Sequence, residues 1–157
     1  MINGTFTAIL LAALALLLVV AAAIDIRIRK IPNRLNLAIA LGAPLFWLAS
    51  GLPLWPDAAI HLAVAAGVFG LLTLAFMIGM MGGGDVKMAA AISLWFAPAD
   101  TLRFLVFMSL AGGIVTLVTI VWHRRSKREG KPKVPYGVAI AMGALAILAQ
   151  RFLNQFA

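Results

Sequence analysis

Six apolar stretches alternate with short polar or backbone-breaking intervals along the 157-residue chain. They fall at 5–25, 35–51, 57–80, 86–97, 101–122 and 135–154, and each reads as a helix. A membrane span needs about 20 apolar residues at a rise of about 1.5 Å each. Pro32 and Asn33 separate the first two stretches, with Asn33 expected to cap the second. The interval Ser50–Asp57 breaks the chain again and places Trp55 at an interface. Pro98, Asp100 and Thr101 form a tight turn, with Asp100 or Thr101 available as a cap. The fourth stretch is short, about 18 Å of helix against a hydrocarbon core of about 30 Å.

Composition turns this pattern into a class. Hydrophobic residues make up 64% of the chain and charged ones 11%, with a mean hydropathy of +1.05. Such values predict an all-α integral membrane protein: a compact bundle of six transmembrane helices forming a single domain over 1–157. The run Phe6–Ile24 has no basic residue before it and exceeds the about 7–15 residues of a signal-peptide core. It is read as a retained span.

Charge then orients the bundle. Eleven of the thirteen Lys and Arg lie in the connections after the first, third and fifth stretches. These are Arg27, Arg29, Lys30 and Arg34; then Lys87; then Arg124, Arg125, Lys127, Arg128, Lys131 and Lys133. The positive-inside rule places those connections in the cytoplasm and both termini outside. The net charge of +8 accordingly reads as contact with anionic lipid, not nucleic acid.

The chain has no cysteine, and its two histidines, His61 and His123, lie far apart. Thiol chemistry is excluded, and neither a metal site nor a cofactor is expected. Of five acidic residues, Asp57 and Asp100 sit where helix capping accounts for them, and Glu129 lies in a basic run. Asp25 and Asp85 differ. Each lies at a helix end on the cytoplasmic side, with a basic residue two positions later, Arg27 or Lys87. Either carboxylate alone can simply mark the water boundary. At the C-terminal end of a helix, however, Asp25 faces the negative end of the dipole, so helix stability does not explain it.

Two carboxylates at one depth suit general acid–base hydrolysis, because neighbouring acids do not ionise together readily. One takes a proton from water and the other donates to the oxyanion and the leaving amine. Gly82, Gly83 and Gly84 serve a turn, or let the backbone lie along an extended substrate. A cation or proton transporter using the paired carboxylates is an alternative, as is a non-catalytic membrane scaffold. Gly67, Gly70, Gly112 and Gly113 are expected to permit close helix packing, and Met77, Met80 and Met81 ordinary apolar packing.

Three motifs occur in order: "DIRIRKIPN" from Asp25 to Asn33, "GGGDVK" from Gly82 to Lys87, and "PYG" from Pro135 to Gly137. Together they resemble those of the type IV prepilin peptidases, membrane aspartic proteases of the GxGD class. The resemblance covers nearly the whole chain. It implies Asp25 and Asp85 as the catalytic pair, with Pro32, Asn33, Gly82, Gly84, Lys87, Pro135, Tyr136 and Gly137 at motif positions. Gly83 and Arg27 stand beside them as supporting candidates; Arg27 and Lys87 could bind an acidic substrate residue, lower an aspartate pKa or contact anionic headgroups. It further implies removal of the basic leader from a prepilin with an apolar helix, at the cytoplasmic face of a bacterial inner membrane. The larger members carry an additional cytoplasmic segment with paired cysteines, tied to N-methylation. This chain enters the membrane at once and lacks cysteine, so methyltransferase activity is not expected. The compact form looks like the short peptidases of Flp/Tad pilus systems, with the archaeal preflagellin peptidases as another branch.

Overall fold

The computed structural model describes residues 2–126 and 134–154. The basic-loop positions Lys127, Arg128, Glu129, Lys131 and Lys133 lie outside the described residues. Among the described residues six α-helices follow one another: α1 Ile2–Ile28, α2 Asn33–Ser50, α3 Ala59–Met77, α4 Gly83–Ser93, α5 Pro98–Arg125 and α6 Tyr136–Asn154. No strand occurs among the described residues.

Among the described residues four helical stretches are long and apolar enough to cross a membrane: Gly4–Ile28, Leu54–Met77, Pro98–Arg125 and Tyr136–Asn154. The expectation of six spans therefore holds for four. Helix α2 falls short in apolarity because Asn33, Arg34 and Asn36 occupy its first turn. Helix α4 has 11 residues, about 16 Å, and does not bridge a core of about 30 Å.

Backbone chemistry ends the helices where the site is built. Arg29 adopts φ 54, a left-handed conformation costing a side-chain-bearing residue about 1 kcal/mol, and its amide bonds Asp25 O at 3.0 Å. The chain then runs extended to Pro32, which occupies the cap position of α2 with φ −64 and ψ 138. Asn33 is thus not the cap; it begins the helix and its side chain is free for another partner. Helix α3 stops at Gly79 (φ 76), where Gly79 N–H bonds Phe76 O and Met80 N–H bonds Ala75 O, both at 2.9 Å. That paired arrangement satisfies carbonyls the helix would otherwise leave open.

Helix α4 lies inside the bundle, packed against α2, α3 and α6. Val86, Met88, Ala89, Ala91 and Ile92 on it are all buried. Just beyond, Trp95 donates its indole N–H to Ile39 O, and Trp47 donates to Leu94 O, each at 2.9 Å. The long helices instead expose apolar residues outward, including Leu16, Leu71, Leu117 and Val118, as a hydrocarbon surround allows.

The close helix crossing is not where the glycines of the third and fifth stretches suggested. A Cβ at Gly67, Gly70 or Gly113 would meet nothing within 4 Å, and one at Gly112 only Ala139 at 3.9 Å. At Gly143 on α6 it would stand 2.8 Å from Met108 N on α5, so this glycine sets the crossing. Met77 and Met80 are likewise exposed, not packed.

Candidate active site

The last turn of α1, the link to α2, and the first turns of α4 and α6 meet at one end of the bundle. Ile31, 8% exposed, is the pin between them. On one side, a Cβ at Gly84 would lie 3.1 Å from Ile31 O. On the other, a Cβ at Gly137 would lie 2.7 Å from Ile31 Cδ1. The three sequence motifs therefore touch through one isoleucine and two glycines. An added methyl would press on Ile31 O from Gly84 and overlap Ile31 Cδ1 from Gly137, so both glycines favour this close approach.

Asp25 is 4% exposed, and a Cβ at Gly137 would stand 2.9 Å from its Oδ2. The carboxylate sits against the opening turn of α6, with the Gly137 and Val138 amides facing it. That resolves the misfit seen in the sequence. The negative end of α1 is offset by the positive end of a second helix. Oδ2 itself still lacks a hydrogen bond of good geometry among the described residues.

Asp85 is half-buried in the first turn of α4, where its Oδ2 accepts the Gly82 N–H at 3.1 Å. Capping is thus part of its role. Burial, followed by the Asp25 charge, pushes Asp85 from the ordinary 3.8 up to about 6, against the Gly82 hydrogen bond that favours the anion. The two carboxylates lie within electrostatic reach of each other. Neither enters a salt bridge among the described residues.

The supporting residues divide. Lys87 bonds Asn33 Oδ1 at 3.1 Å, not Asp85, and so ties α4 to α2. Arg27 is exposed and forms no ion pair among the described residues; the cation whose field reaches Asp25 is Arg29. Pro32 is exposed at the cap of α2, whereas Pro135 is buried directly before α6. Tyr136 is half-buried and faces a groove of about 490 Å³ that it shares with Met80, Met81 and Gly113. Gly83 rests against the Phe76 ring, where a Cβ would be 3.5 Å away.

Sequence reasoning missed Asn36. Its amide donates to Gly84 O at 2.9 Å from a buried position on α2. A polar residue amid the apolar run 35–51 was the available signal. Asp57 and Asp100 were expected as caps, yet neither helix start they occupy has a side-chain cap bond. Asp100 instead pairs with Arg103 at 3.3 Å and Arg151 at 3.7 Å, at the opposite end of α6 from Asp25.

Comparison with known proteins adds one match. The profile of the type IV leader peptidase family covers residues 12–117, about two thirds of the chain, and includes both Asp25 and Asp85. No curated protein and no solved structure matches significantly.

Proposed function

The chain belongs to the type IV leader peptidase family, and from that premise we propose that Asp25 and Asp85 form its catalytic pair. Its substrate is a prepilin, of the Flp/Tad kind, bearing a short basic leader ahead of an apolar helix. The observation that carries this reading is the meeting of three motifs at Ile31, which holds Gly84 and Gly137 beside the two carboxylates.

The pair shares one proton, which we assign to Asp85 because the Gly137 and Val138 amides facing Asp25 favour the charged form there. Asp25, fixed against the first turn of α6, takes a proton from a water between them. The water oxygen bonds to the scissile carbonyl carbon while Asp85 donates to the developing oxyanion. As the C–N bond breaks, a hydroxyl of the tetrahedral intermediate returns its proton to Asp85 while the carbonyl re-forms, and the proton held by Asp25 passes to the leaving amine. Gly82 and Gly83, beside the pair, leave backbone space for an extended substrate strand.

The site end is also the basic end, carrying Arg27, Arg29, Lys30, Arg34, Lys87, Arg124 and Arg125. The positive-inside bias supports a cytoplasmic position for this end with both termini outside, and the family membership supports a bacterial inner membrane as its setting. Helix α4 reaches only part way across. Basic residues at this end suit anionic lipid headgroups as neighbours.

Co-expression with a prepilin is the test. Wild-type protein should yield a leaderless, faster-migrating pilin. Asp25→Ala and Asp85→Ala should each leave the precursor intact while inserting normally in the membrane. Normal processing by either variant would rule out the pair.

A further inference from the structure

Helices α1 and α4, which carry Asp25 and Asp85, share almost no direct contacts; α2 packs against both. The relative placement of the two carboxylates is therefore passed through intermediates, α2 among them. Three links join the start of α2 and its preceding turn to α4. Ile31 packs on Gly84, Asn33 accepts from exposed Lys87, and Asn36 donates to Gly84 O. The Asn33 and Asn36 bonds form two rungs, three residues apart on each helix, so they lie on facing sides.

Asn36 stands apart because it is 6% exposed and its Oδ1 has no partner among the described residues. A buried polar atom without a partner is costly, and an apolar residue of the same shape would avoid that cost. The bond it makes is not needed to satisfy α4 either. Gly84 O lies within a regular helix, where the amide four residues on already serves it. What the Asn36 bond does is fix the Gly84–Asp85 peptide, whose nitrogen belongs to the residue bearing the carboxylate.

We propose that Asn36 is a positioning residue: its amide on Gly84 O sets where the first turn of α4 presents Asp85 to Asp25. The inference rests on the two-aspartate reading above. It predicts that losing the bond impairs the chemical step more than the fold or substrate binding.

The experiment compares purified wild type, Asn36→Leu, Asp85→Ala and Ile147→Ala on a synthetic prepilin peptide with basic leader and apolar segment. Ile147 is buried on α6 away from the site and serves as the control for lost stability. Asn36→Leu should unfold no earlier than wild type and keep KM within about twofold. Its kcat should drop on the order of tenfold or more, as misplacement of a reacting group does. The alkaline limb of its pH profile should move to lower pH, because Asp85 is released from the Asp25 charge. Should Asn36→Leu fail to fold, Asn36→Ser, too short to reach Gly84 O, is judged by the same criteria. Wild-type kcat and pH limb would overturn the proposal. So would a loss that Ile147→Ala reproduces at equal loss of stability. Full activity of Asp85→Ala would overturn the two-aspartate reading itself, independently of Asn36.

Discussion

Asp85 and Asp100 occupy the same position in their helices, the third residue after the cap, at opposite ends of the bundle. Local preference treats them alike, since an acid in the first turn complements the helix dipole. The rest of the fold treats them differently. Asp100 meets Arg103 and Arg151, and the Arg151 guanidinium also lies 5.9 Å from the Phe46 ring centre and 6.0 Å from that of Phe96. Asp85 meets no cation among the described residues and faces a second carboxylate. One end of the molecule neutralises its acid; the other keeps it in tension. A helix start explains why an aspartate is tolerated, and tertiary partners decide whether it is structural or chemical.

The largest contrast should appear on removing each acid. Asp25→Ala or Asp85→Ala should lower kcat by about a thousandfold or more, as loss of an acid–base group does. Asp100→Asn should leave kcat unchanged. Next comes Gly137→Ala, whose methyl would overlap Ile31 Cδ1 and Asp25 Oδ2 at 2.7 and 2.9 Å. Displacing Asp25 should cost about tenfold to a hundredfold in kcat, with the helical signal retained.

A stability comparison sharpens the same difference. Asp85 has a folded value near 6, raised above its ordinary 3.8. The folded state therefore binds this proton more tightly than the unfolded chain. Its contribution is fully present below about pH 4 and is lost as pH rises through 6. Asp85→Asn, uncharged throughout, should gain about 1–2 kcal/mol over wild type at pH 8, after discounting for partial exposure, and nothing at pH 4. Unfolding in detergent at the two pH values measures this. The smallest effect belongs to the far end. Arg151→Ala should lose about 1 kcal/mol, from a partly exposed ion pair and its ring contacts, with unchanged cleavage.

Much of this arrangement was legible from local chemistry. Pro32, Gly51 and Pro98 break the helices where backbone rules say they must, and the basic residues after α1, α3 and α5 mark one end. The aspartates stood out because little else in an apolar chain carries charge. What stayed hidden depends on partners distant in sequence. Ile31 looks like any isoleucine until Gly84 and Gly137 close on it. Gly143, not Gly112 or Gly113, holds α5 against α6, because composition does not say which face of a uniformly apolar helix turns inward. Arg151, one of two basic residues outside the connections after α1, α3 and α5, reads as incidental until it reaches Asp100 across the bundle end.

The most direct test of the central claim is cleavage of a co-expressed prepilin by the Asp85→Asn protein. Asparagine keeps the shape of aspartate and an oxygen for the Gly82 amide, so the cap at the start of α4 survives. What it loses is the exchangeable proton. If Asp85 acts in catalysis, the variant folds at least as stably as wild type and the prepilin stays full-length. If Asp85 is only a cap, as its first-turn position alone would suggest, the pilin is processed at the wild-type rate and the account is wrong.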